Sequence, residues 1–484
     1  MVMQPKNYLY SVFFLVLLVA LISLGLMFTK NPIGGIFRPM DILSDVRKDS
    51  AKENARNVEV FASPKDSLKI ITNTRIDTSS ISSINPVTSF SKVTNKPDSF
   101  VVSNEIGLVR FDDFSENKDG LNSFFEKLTN IKSLNRPVRI AYIGDSLIEG
   151  DILSGDLRRK FQENFGGCGV GMMPVTSNVN NFRKTVVHQF SAWETHNFSN
   201  YNKSKLSLGG VACTPNNNAW VYYQGVKKDF LDSCKRVSII YSLPSADTRV
   251  FYKKNKGNSY YAALPKAERV GRINIDGKCG NIQISFPPLR DLDVYGVSLE
   301  DTTGIIVDNY SIRGFSGTGL KDLSSERLSL LNNLLNYDLI ILEFGLNVEE
   351  AQRVDYRAYE AEMVKTVNFL KASFPSASFL LIGVPDRSYK NGGGNYETMP
   401  GVLAMIEHQK KISKESGIVF WNLYEAMGGK NSMPLFVNSN PPKAGKDYTH
   451  LTFEGGEYLG SLLYETFMYE KGVYDRRLSQ ALVK

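Results

Sequence analysis

The sequence predicts an α/β protein with a three-layer α/β/α architecture, in which a parallel sheet is covered by helices on both faces and interrupted by a β-rich insertion. Three observations carry this. Short apolar runs recur at 138–143 (VRIAYI), 304–312 (GIIVDNYSI), 338–344 (DLIILEF), 378–384 (SFLLIGV) and 417–423 (GIVFWNL). They are continuous rather than alternating, as strands buried on both faces should be. Helical patterns separate the later runs; within 355–372, Tyr359, Met363, Val367 and Leu370 fall on one helical face. Strand and helix alternating in this way imply the layered parallel sheet. The rhythm then fails for about 140 residues between the first helix, expected near 150–164, and the second strand, which is too long for any loop of a compact domain.

In chain order, residues 1–30 are expected to form a membrane anchor. Tyr8 to Phe28 carries no charge and is long enough to cross a hydrocarbon core of about 30 Å. The end of this run and the residues after it, LGLMFTKNP, offer no small-residue cleavage site, so an uncleaved helix is expected rather than a signal peptide. Lys6 on one side and Lys30 and Arg38 on the other give the positive-inside rule little to use. Residues 31–105, rich in Ser, Thr, Asn, Asp and Lys, suit a mobile stalk. The catalytic α/β domain is expected over 106–175 and 304–484. Between them, 176–303 shows β-type runs such as AWVYYQGV, RVSIIYSL and NIQISFPPL, separated by Gly, Asn and Pro turns, and is expected to be an inserted β-sandwich-like module. Its aromatics suit a sandwich core for the most part, with a carbohydrate platform as the second reading.

Composition excludes more than it names. Hydrophobic residues at 42% and charged residues at 22% describe an ordinary globular chain. The net charge of +7 is spread over 57 basic and 50 acidic residues without a long Lys/Arg block, so no nucleic-acid partner is expected. Cys168, Cys213, Cys234 and Cys279 form no CxxC pair, and His188, His196, His408 and His450 do not cluster, so no metal site is expected. A disulfide among the last three cysteines fits an exported protein, with its connectivity open.

Ligands of open α/β sheets bind beyond the carboxyl ends of the strands. Ser146 follows the first strand in AYIGDSLIEGD, Gly314 the second, Gly345 and Asn347 the third, and Asp447 with His450 the last. A serine needs a base to become a useful nucleophile, and that base needs an acceptor to fix its tautomer. The Asp-x-x-His step in KDYTHLTFEGG supplies both. An oxyanion hole is expected from the backbone N–H groups of Ser146 and Gly314 and the Asn347 amide. Asp145 is expected to order the turn, and Glu149 to Asp151 to start the following helix, where acidic residues suit the dipole. The loops GGCGVG (166–171) and RGFSGTG (313–319) lack a Walker lysine, and Ser316 does not sit in a Gly-x-Ser-x-Gly elbow. Asp386 and Arg387, beyond the fourth strand, are candidate substrate contacts or a structural pair.

These blocks together resemble the GDSL or SGNH hydrolases, whose Ser, Gly, Asn and His stand here as Ser146, Gly314, Asn347 and His450 in IGDSL, NYSIRG, EFGLN and DYTH. The resemblance spans about 118–470 outside the insertion, in the sense of a motif set, and departs at Val348, where many members carry Asp. It implies a flavodoxin-like sheet, a Ser146–His450–Asp447 triad and no cofactor. The anchor, the insertion and FGGCGVGMMP look like bacterial cell-envelope carbohydrate esterases, in particular peptidoglycan O-acetylesterases. That similarity implies an inner-membrane-anchored protein with a periplasmic catalytic domain and an acetylated glycan substrate. The leading expectation is a serine esterase removing O-acetyl groups from a polysaccharide. The alternatives are an O-acetyltransferase partnered with a membrane acyl exporter, and a non-catalytic glycan-binding protein.

Overall fold

The computed structural model describes residues 108–228 and 230–482. The expected membrane helix and stalk lie outside the described residues. Among the described residues no helix is long and apolar enough to cross a membrane.

The central sheet contains five parallel strands: β1 (Val138–Gly144), β2 (Ile305–Ser311), β3 (Tyr337–Glu343), β4 (Ser378–Ile382) and β5 (Val419–Trp421). Their spatial order is 2-1-3-4-5, with the short strand Asp112–Asp113 antiparallel on the β5 edge. That is the flavodoxin-like order, whose crevice opens where the winding reverses, between β1 and β3. Register places Ile143 between Tyr310 of β2 and Leu342 of β3, so the three strands end level and their following loops meet.

Six longer helices cover the sheet: α1 (Asn122–Thr129), α2 (Ser154–Phe165), α3 (Ser325–Leu335), α4 (Arg357–Ser373), α5 (Pro400–Ser416) and α6 (Phe453–Leu482). Successive strand side chains point to opposite faces. Ala141, Ile143, Ile340 and Leu342 therefore join one core with Leu331 of α3, Met363 and Val367 of α4 and Ile412 of α5. Ile140, Tyr142, Leu339 and Ile341 join another with Phe124 of α1, Phe161 of α2 and Phe467 of α6. The four residues expected on one face of α4 are all buried.

The first helix starts later than the expected 150. Gly150, Asp151 and Leu153 have φ of 68°, 69° and 65°, which no right-handed helix accommodates. Ser146–Asp151 is instead a kinked 3-10 segment. Two short helices, Leu423–Ala426 and Ser432–Asn438, stand between β5 and the Asp447–His450 loop.

Nine strands from Gly171 to Glu300 make one antiparallel sheet. Its long strand Val211–Gly225 pairs with Val186–Asn197 on one side, and on the other with Asn281–Ser285 and, at Cys213, with Val294. The sheet thereby bends round a core that includes Val221, Ile239, Ile284 and Val297. One strand serves both branches, so the module is a single bent sheet rather than two separate ones.

Buried charges join this module to the central sheet. Arg139 of β1 donates to Asp308 of β2 (2.7 Å), to Glu300 (2.7 Å) and to Ser298 (2.9 Å). Arg272 of the module also pairs with Glu300. Met172 N–H donates to Asp308 at 2.7 Å.

Candidate active site

β1 ends at Gly144 and the chain turns at once. Asp145 makes the turn: its carboxylate accepts from Leu147 N–H at 3.0 Å and from the Asn347 side chain at 2.8 Å. Ser146 opens the 3-10 segment and is 8% exposed. The end of β2 is stitched to this turn. Asn309 donates to the Ile148 carbonyl (2.7 Å), the Ser311 hydroxyl to that of Asp145 (2.9 Å), and Ile312 N–H to that of Gly144 (2.8 Å). Arg313 reaches back to the buried Glu149 carboxylate with Nε at 3.1 and 3.2 Å and a terminal nitrogen at 2.9 Å.

His450 lies in a loop closed by the Ala444–Leu451 bridge. Its Nε2 is 3.0 Å from Ser146 Oγ, and its Nδ1 is 2.7 Å from Asp447. The other Asp447 oxygen accepts the N–H groups of Thr449 and His450, both at 3.1 Å. Burial pushes the Asp447 carboxyl up, but the hydrogen bonds and charge of His450 outweigh it and the net shift is downward. Asp447 is thus ionised and accepts from the Nδ1–H of His450, which leaves the lone pair of Nε2 facing Ser146. The structure brings together Ser146, Asp447 and His450, the first and last of which are 304 positions apart in the sequence.

Gly314 sits on the turn that Arg313 ties down, exposed, with φ of 74°. An added Cβ there meets nothing within 4 Å, so the backbone sign rather than space selects glycine. Gly317 is the buried one, against Phe344. Asn347 gives its amide to Asp145 and to the Phe315 carbonyl at 3.2 Å, tying the Ser146 turn to the Gly314 turn. Burial raises Asp145 to about 6, against the opposing pull of Leu147 N–H, the His450 charge and Asn347. Beneath it Glu343, paired with the Tyr142 hydroxyl, is pushed by burial up to about 8.

Other candidates fall outside the relay. Arg387 donates to the Thr449 hydroxyl (3.2 Å) and the Leu346 carbonyl (3.3 Å), bracing the two loops that carry His450 and Asn347. Asp386 is buried and accepts from Thr398, Ser432 and Met433 N–H, which makes it structural. Glu149 and Asp151 do not start the helix; they pair with Arg313 and with Arg158 and Arg183. Sequence spacing gave no signal for these pairs, whose members in the case of Glu149 and Arg313 come from different strands' loops. Cys234 and Cys279 are register partners on adjacent strands, and all four cysteines are free thiols.

No family model and no curated protein matches the chain. Among solved structures, a peptidoglycan O-acetylesterase is 22% identical, with 75% of this chain and 99% of that one covered at a TM-score of 0.61. An acetyl xylan esterase (15% identity, 33% and 80% covered, TM-score 0.24) and a family two carbohydrate esterase from Cellvibrio japonicus (7%, 60% and 98%, 0.26) overlap too loosely to carry an argument. The chain therefore shares the fold of a peptidoglycan O-acetylesterase, in keeping with the resemblance to SGNH hydrolases drawn from its four sequence blocks.

Proposed function

We propose that the protein is a serine esterase that removes O-linked acetyl groups from a cell-envelope or other polysaccharide through an acyl-enzyme. The observation that carries this is the continuous relay from Ser146 Oγ through His450 to Asp447. In the first half-reaction Ser146 Oγ attacks the ester carbonyl while His450 Nε2 takes its proton. His450 then gives that proton to the departing sugar hydroxyl as the C–O bond breaks. In the second, water attacks the acetyl-serine, His450 again takes the proton, and acetate leaves with Ser146 restored. The His450 and Asp447 side chains are 42% and 51% exposed, so water can reach the acyl-enzyme.

The developing oxyanion needs donors placed before the reaction begins. The turns of Ser146 and Gly314, locked together by the β2 contacts, are the groups we assign to it, with Asn347 as the third. Replacing Ser146 by Ala should leave the melting temperature near that of the parent and lower 4-nitrophenyl acetate hydrolysis by roughly 10⁴-fold or more, as for other serine relays. Adding His450→Ala should cost little further, because the two groups act as one unit. Substantial activity in the Ser146→Ala protein would remove the assignment.

A further inference from the structure

Each of three loops at the candidate site carries an aromatic ring, and each ring packs against one from a peripheral element, two of them stacked and the third tilted. Phe315, next to Gly314, is stacked by Phe198 of the inserted module at 4.6 Å between centroids. Tyr448, between Asp447 and His450, is stacked by Tyr396 at 3.6 Å and 6°. Phe453, at the start of α6, packs against Phe182 at 5.0 Å. Phe182 and Phe198 belong to the insertion; Tyr396 belongs to the hairpin Ser388–Lys390/Tyr396–Thr398.

Phe198 packs against the buried core, but the other two peripheral rings do not complete one. Phe182 is 45% exposed and Tyr396 is 40% exposed. Both are nevertheless held firmly. Phe182 lies against Gly150, where a Cβ would come within 2.6 Å of its ring. The next residue, Arg183, has a buried side chain that reaches Asp151 at 2.5 Å. The Tyr396 hairpin is fastened to the His450 loop by Ser388 N–H donating to the Tyr448 carbonyl at 3.1 Å. A rigid, half-exposed ring loses little freedom on binding, and polar groups stand close to the paired rings: Lys184 lies over Phe453 at 4.0 Å, and Arg313 is two residues from Phe315 in the chain. Separate rings interleaved with hydrogen-bonding groups fit the apolar faces and hydroxyls of sugars, whereas a protein or lipid partner would call for one continuous apolar patch.

We infer that these pairs form a glycan-binding rim, in which Phe182 and Tyr396 stack the pyranose rings neighbouring the acetylated one and the insertion serves as part of the substrate platform. This rests on the esterase reading above and assigns to Phe182 and Tyr396 the sugars that flank the acetylated one. The probes are chemically O-acetylated xylotetraose and chitotetraose, set against 4-nitrophenyl acetate, which offers no sugar to stack. In Phe182→Ala and Tyr396→Ala the ratio of kcat/KM on the tetrasaccharides to that on 4-nitrophenyl acetate should fall about tenfold, the scale of one aromatic stacking contact. Phe182→Tyr and Tyr396→Phe should restore it.

An unchanged ratio in both alanine variants overturns the rim, as does an equal fall in the variants that keep the ring. A parent protein that cleaves 4-nitrophenyl acetate but shows no preference for either tetrasaccharide also overturns it, leaving the acyl chemistry standing. A parent that cleaves none of the three substrates overturns the esterase reading, and the rim with it.

Discussion

Asn347 joins the two turns that a reaction at Ser146 would use. Its side-chain nitrogen has two hydrogens, and both are engaged, one by Asp145 and one by the Phe315 carbonyl. To stabilise an oxyanion it must exchange one of these partners, and the Asp145 carboxylate is the stronger acceptor of the two when ionised. Asp145, raised to about 6 by burial, thus holds Asn347 most tightly above that pH. Asn347→Ala should lower kcat on 4-nitrophenyl acetate by about 10²- to 10³-fold with a smaller change in KM, the usual cost of one oxyanion donor. Steady-state kinetics decide it, and a rise in KM at constant kcat would place Asn347 in ground-state binding instead. The residue was legible in the sequence because EFGLN follows an apolar strand. Its partner Asp145 was legible only as a turn-former, since nothing in the spacing of the two residues reveals that their side chains meet.

The distance between Ser146 and His450 is set by how closely two helices approach. α6 starts at Phe453, just after the His450 loop, and rests on the first turn of α2, just after the Ser146 segment. Glycine makes the approach possible: a Cβ on Gly456 would lie 2.5 Å from the Leu153 backbone nitrogen, and one on Gly460 would lie 2.7 Å from the Leu153 carbonyl. Gly456→Ala should push α6 outward, destabilise the fold by about 1–3 kcal/mol, the usual cost of overpacking, and reduce kcat by separating the serine from its base. Gly472→Ala, whose Cβ would meet only the flexible end of Arg476 at 3.6 Å, is the control and should be neutral or slightly stabilising. Thermal melting with kinetics on the same preparations checks both. At this scale the parallel strands were the most legible elements, because burial on both faces writes an unbroken apolar run such as LIIL, 339–342. The start of α2 was hidden: its acidic residues look like helix-starters, but Gly150, Asp151 and Leu153 bend the chain through positive φ and the carboxylates serve distant arginines.

The inserted module and the central sheet meet through charge as well as through apolar packing. Glu300, at the end of the module's last strand, receives Arg139 from β1 and Arg272 from the module itself, while Asp308 of β2 takes the other side of Arg139. Glu300, Arg139 and Asp308 are each about 1% exposed or less, so removing one member strands the others in a low-dielectric interior. No sequence pattern announced this, because its members are scattered over β1, β2 and two strands of the module. Burial pushes the Glu300 carboxyl up, yet the charges of Arg139 and Arg272 and the hydrogen bond from Ser298 pull it further down, to below its ordinary 4.5. Its contribution to stability is therefore complete above about pH 4.5 and is lost as pH falls through the folded-state value. Glu300→Gln keeps the shape and removes the charge. It should cost about 3–5 kcal/mol near pH 7, the penalty for breaking a buried pair from one side. Urea unfolding of parent and variant at about pH 7 and about pH 3.5 measures this. The deficit should narrow at the lower pH, where the carboxylate of the unfolded parent is already being protonated; a deficit independent of pH would mean that lost packing, not lost charge, separates the two proteins.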